Sequence, residues 1–116
     1  MPPKPEFPLP PEELKRRLGV MYASYRAKLP GKIAGIDALW RLVRSAPPGD
    51  ESREELWLAV HTLVGSSPTL GCEALGAAAR ELEVALRRAF SSEGALSAEE
   101  AAAISTLVDK LGQALN

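Results

Sequence analysis

Ala59-Val60-His61-Thr62-Leu63-Val64-Gly65-Ser66-Ser67-Pro68-Thr69-Leu70-Gly71 is the segment around which the rest of this 116-residue chain is read. It holds the protein's only histidine, a glycine four residues later, two serines, and a second glycine that closes the segment. At about 100° per residue on a helix, Leu56, Ala59, Leu63, Ser66 and Leu70 share one side. The side that carries leucines is expected to pack. His61 points the other way, flanked by Glu54, Trp57, Leu58, Val64, Gly65 and Pro68, and is expected to face water. Gly65 lies one turn along on the same face and leaves bare backbone there. A glycine inside a helix costs roughly 1 kcal/mol relative to alanine, which implies that something must come close to the imidazole.

Working outward, Ser52-Arg53-Glu54-Glu55 reads as a capping box opening the helix that carries His61, serine and glutamate each satisfying the other's backbone donor. Pro68 removes the donor that would reach the Val64 carbonyl, so regular helix should fray near Ser67, and Gly71 permits the turn. Upstream, Pro11 followed by Glu12 and Glu13 starts a helix with a stripe of Leu14, Leu18, Met21, Tyr22 and Tyr25. Pro30-Gly31 predicts a break or sharp kink, because the residue before a proline is pushed out of the helical region. A second helix, with Ile33, Ile36, Leu39, Trp40 and Val43 as its stripe, then runs to the loop at Pro47-Pro48-Gly49-Asp50. Downstream of Gly71 a helix places Leu75, Ala78, Ala79, Leu82, Leu86 and Phe90 inside and Arg80, Arg87 and Arg88 largely outside. Ser91-Ser92-Glu93-Gly94 breaks it. Ser97-Ala98-Glu99-Glu100 is another capping box, and the last helix packs through Ala101, Ile104, Leu107, Val108, Leu111 and Leu115. No segment alternates with period two. The expected fold is all-α, an antiparallel four-helix bundle with an additional N-terminal helix, over residues 11–116.

Residues 1–10 are proline-rich and read as an extended, semi-rigid tail rather than an SH3-type ligand. The tail has no apolar core of a secretory peptide, and no run approaches the roughly 18 apolar residues of a membrane span. Hydrophobic residues make up 46% and charged residues 25%, ordinary for a globular domain. A formal net charge of -1 argues against nucleic acid as a partner, because binding to a phosphate backbone needs a basic excess. Cys72 stands alone, so an internal disulfide or cysteine zinc cluster is ruled out, which suits a reducing compartment. These features predict a cytoplasmic monomer with no membrane contact.

Catalytic motifs are absent from the sequence: there is no glycine-rich phosphate loop, no HExxH, and no second histidine for a zinc site. A Ser-His-Asp arrangement is hard to build around an exposed histidine when the obvious acids lie in caps and turns. Cys72, a small thiol at a helix start, reads as a packing residue. What remains is an exposed imidazole on a rigid helix with an apolar patch beside it. Trp57, Leu58 and Val64 form a docking surface, or else Trp57 and Leu58 pack against the tail or the first helix, and both readings stand.

The order His61-Thr62-Leu63-Val64-Gly65-Ser66-Ser67, then Leu70-Gly71, Leu75 and Leu82-Glu83, resembles the signature of histidine-containing phosphotransfer (HPt) domains. That signature runs His-x-Leu-Lys-Gly-Ser-Ser, then Gly, then a leucine-rich helix ending in Leu-Glu. The resemblance implies a four-helix bundle in which His61 is the phosphoryl acceptor and donor. It implies a carrier rather than an enzyme, with no ATP site and no cofactor of its own. The implied partners are response-regulator receiver domains or a hybrid histidine kinase in a two-component phosphorelay, and the Mg²⁺ would belong to the receiver. Gly65 would give clearance, and Ser66 and Ser67, small and turned inward, would let neighbouring helices approach. The other function weighed is a non-phosphorylated module that docks or sequesters a receiver or another signalling protein. One departure stands out: family members commonly carry lysine three residues after the histidine, where this chain has Val64. Arg53 and the arginines near Leu82 are the candidate replacements, and Val64→Lys is expected to speed phosphoryl acceptance.

Overall fold

The computed structural model describes residues 9–115. Four helices make up the fold: α1 (Pro11–Ser45), α2 (Ser52–Ser66), α3 (Glu73–Phe90) and α4 (Ala98–Gln113). Each packs on the next, and α4 closes the ring on α1. With such short connections, consecutive neighbours run antiparallel, the arrangement of an up-and-down bundle. No strand occurs among the described residues, and no helix there is long and apolar enough to cross a membrane. The proline-rich tail falls, for residues 1–8, outside the described residues.

The expected break at Pro30-Gly31 does not occur, and with it the additional N-terminal helix disappears. α1 is one helix of 35 residues with Pro30 inside it. An interior proline costs about 3 kcal/mol through its lost hydrogen bond and ring clash. Here Tyr25 and Leu29 before it, and Ile36, Trp40 and Val43 after it, are all buried in the same core. Unbroken helix keeps those five side chains on one line, and each large core residue contributes about 1.5–3 kcal/mol. Pro30 itself is exposed, so the Arg26 carbonyl that loses its donor can turn to water. The first turns of α1 run on with Leu14, Val20 and Met21 exposed, and its buried residues begin only at Tyr25.

α2 also begins differently from the capping-box reading. Its N-cap residue is Glu51 without a side-chain cap, and Ser52 is buried. The Ser52 backbone N–H is taken by the Asp50 carboxylate at 3.0 Å. Burial of Ser52 at the bundle end leaves the capping role to the exposed turn before it. The second box is present as expected: Ser97 and Glu100 exchange bonds of 3.0 and 2.9 Å at the start of α4.

The face of α2 that packs is slightly rotated from the expected one. Leu56, Val60, Leu63 and, just past the helix, Ser67 are buried, while Ala59 and Ser66 are half-buried. A helix in a four-membered ring touches two neighbours, so its apolar stripe centres between them. The C-terminal end of α2 is fixed by hydroxyls. Tyr25 Oη of α1 lies 2.9 Å from Ser66 Oγ and 2.8 Å from Ser67 Oγ, and Ser66 Oγ lies 2.8 Å from the Thr62 carbonyl. One proton order satisfies all of them: Ser67 donates to Tyr25, Tyr25 to Ser66, and Ser66 to Thr62. Tyr25→Phe should therefore lower stability by about 1–3 kcal/mol in a urea melt, because fully buried Ser67 loses its partner. Two glycines hold the following turn. Gly71 has φ +86°, where only glycine sits without strain. Gly76 lies under Pro68, whose Cγ would be 2.7 Å from an added Cβ.

Candidate functional site

The bundle presents His61 outward from the middle of α2, as its position opposite the buried leucines requires, with its side chain 53% exposed. Two contacts fix the ring. Trp57, one turn earlier, stacks on it with centroids 4.7 Å apart and planes 11° from parallel. Glu83 of α3 reaches across, its Oε1 3.0 Å from His61 Nδ1. The stack sets the plane of the imidazole, and the hydrogen bond sets its rotation within that plane.

The bond to Glu83 also determines where the proton sits. A carboxylate can only accept, so Nδ1 carries the N–H, and in the neutral ring Nε2 keeps the lone pair. Nδ1 is thus the held nitrogen and Nε2 the available one. Glu83 is nearly buried, its side chain 12% exposed, an environment in which a carboxylate needs partners. Its partners are His61 and Arg87, whose Nη2 lies 3.4 Å from the same Oε1. Glu83 stood in the sequence only as the end of a Leu-Glu pair. Its partnership with His61 spans 22 residues, and nothing in the helical period of either segment points to it.

The other residues singled out in the sequence fall on or near this face. A Cβ built on Gly65 would meet nothing within 4 Å, so the bundle itself has no need of a glycine there. Leu58 is 58% exposed. Trp57 and Val64 are half-buried and pack against the core with one side. Ser66 and Ser67 lie apart from the imidazole and serve the hydroxyl chain to α1. A groove of about 730 Å³ continues from Trp57 past Arg87 and Phe90 to the loop before α2. Of the arginines unplaced from sequence, Arg53 is committed elsewhere. It donates to the Ser92 and Gly94 carbonyls at 3.4 and 2.9 Å and lies over the Phe90 ring. Cys72 precedes α3, half-buried against the core. Among the described residues no group of three His, Cys, Asp or Glu side chains could hold a metal ion.

Chemically, this arrangement is an imidazole held at one nitrogen by a buried carboxylate, with the second nitrogen presented on an open, glycine-trimmed helix face. It suits a nucleophile whose substrate arrives on another macromolecule, since no enclosed pocket surrounds it. No curated protein and no solved structure matches the chain. A family model described as Hpt domain matches residues 20–114, which takes in most of α1 and all of α2, α3 and α4.

Proposed function

The chain belongs to the Hpt domain family, whose members are phosphocarriers of two-component signalling, and on that premise we propose that His61 relays a phosphoryl group to and from receiver aspartates. The observation that carries this reading is the 3.0 Å bond from His61 Nδ1 to Glu83, which leaves Nε2 as the nucleophile. In the forward step Nε2 attacks the phosphorus of a receiver's aspartyl phosphate in line. The N–P bond forms as the P–O bond breaks, and the electron pair leaves with the aspartate carboxylate. The ring becomes a cation that still holds its Nδ1 proton, so no proton need move. The return step reverses these changes. Catalysis of this kind rests on positioning and charge neutralisation, and the Mg²⁺ that helps neutralise belongs to the receiver.

Glu83 acts as a positioning residue through His61. Before transfer it selects the tautomer, and after transfer its carboxylate faces a cationic ring, a charge-assisted bond stronger than the neutral one. Bonds to charged groups are worth about 1.5–3 kcal/mol, and about 1.4 kcal/mol is tenfold in rate. Glu83→Ala should therefore slow labelling of His61 by about 10–100-fold. Glu83→Gln, which can still accept from Nδ1–H, should stay within about tenfold of wild type. Equal losses in the two variants would assign Glu83 to packing alone.

The reading is tested by mixing the chain with phosphorylated receiver domains and Mg²⁺. The expected result is an acid-labile label that mass spectrometry maps to His61 and that chelation of Mg²⁺ prevents. Receivers that bind the chain without labelling it would make this a docking module instead. Trp57, Leu58 and Val64 are the proposed contact surface for the receiver, with Gly65 providing clearance.

A further inference from the structure

We infer that Arg87 is the cation that meets the transferred phosphoryl group, taking over from α3 the role that a lysine at position 64 would have filled from α2. The inference rests on His61 being the phosphoryl acceptor. The incoming group brings two negative charges next to Glu83, a third. The cationic ring alone leaves that cluster negative, and such a cluster needs a further cation near the phosphoryl oxygens. α2 has none to offer: Val64 is apolar, and Arg53, its one basic residue, is held by the Ser92 and Gly94 carbonyls.

Three features single out Arg87 on α3. It follows Glu83 by one turn and touches the same oxygen that receives the His61 proton, so its guanidinium lies within two hydrogen bonds of the ring. Its hold on Glu83 is slack. The contact is 3.4 Å with the arginine side chain 71% exposed, whereas firm ionic hydrogen bonds measure about 2.7–2.9 Å. Its side chain leans toward the N-terminus of α3, back over the turn that carries Glu83. The guanidinium can thus leave Glu83 for the phosphoryl oxygens as the ring takes over the carboxylate, and its planar fork suits two of those oxygens at once. Arg87 remains protonated throughout, and no covalent bond involves it. Arg80, one turn before Glu83, is exposed and is the competing candidate.

The test uses potassium phosphoramidate as donor, a small molecule that phosphorylates the imidazole with release of ammonia and needs no docking surface. Arg87→Ala should slow labelling of His61 about tenfold, and Arg87→Lys should stay within about threefold of wild type. Both substitutions lie on an exposed helix surface that alanine and lysine suit, and circular dichroism will show the helices intact. Val64→Lys should recover most of the loss in Arg87→Ala and speed the wild-type chain by much less, because the two cations act at one place. An Arg87→Ala chain as fast as wild type overturns the inference. So does a tenfold loss found in Arg80→Ala instead, or a Val64→Lys gain equal in both backgrounds. A wild-type chain that takes no label at His61 from phosphoramidate or any receiver fails at an earlier point, since it removes the acceptor itself.

Discussion

His61→Gln should reduce phosphoryl labelling of the chain to background while leaving the bundle folded. The loss should be complete, because the protein has one histidine and no other imidazole can take over. Glutamine is a sound helix residue, and its amide can still donate toward Glu83. The imidazole is half exposed, stacked on Trp57 and hydrogen-bonded to Glu83. The stability cost should therefore be about 1 kcal/mol, the size of one exchanged hydrogen bond. Labelling by a phosphorylated receiver and a urea melt on the same sample separate the two effects. Label persisting on the glutamine variant would place the acceptor elsewhere and end the assignment of His61.

Gly65→Leu should give a chain that is no less stable than wild type and yet accepts phosphoryl groups from receivers at least about 100-fold more slowly. The two halves of this expectation have separate causes. A Cβ at 65 meets nothing of the bundle within 4 Å, and replacing a helical glycine by a good helix former gains up to about 1 kcal/mol. A helical side chain leans toward the N-terminus, so the introduced leucine would lie over the turn that carries His61. It would stand where a receiver must bring its aspartate. A 1 Å misplacement of reacting atoms can cost about 100-fold in rate, and a leucine intrudes further than that. Phosphoramidate, small enough to pass, should label Gly65→Leu at close to the wild-type rate. If Gly65→Leu accepts from a receiver as fast as wild type, Gly65 gives no clearance. If it melts well below wild type, the glycine serves the bundle.

Some of this protein is decided along the chain. Apolar residues at helical spacing make α3 and α4, the prolines and glycine at 47–49 end α1, and the Ser97–Glu100 box starts α4. The exposure of His61 and the bare backbone at Gly65 follow from the same local geometry, because the face a residue takes on a helix depends only on its offset from its neighbours. Where local rules conflict with packing, the sequence alone misleads. Pro30 signals a break, but two buried side chains before it and three after it hold α1 unbroken. Ser52 looks like a cap and is buried at the bundle end. The partners of the key groups lie beyond the reach of local pattern altogether. Tyr25 meets serines 41 and 42 residues away, and Glu83 meets His61 across 22. Sequence offset settles which way a side chain points, but which side chains meet is settled by how four helices seat against one another, and so the tautomer of His61 and the reach of Arg87 belong to the tertiary structure.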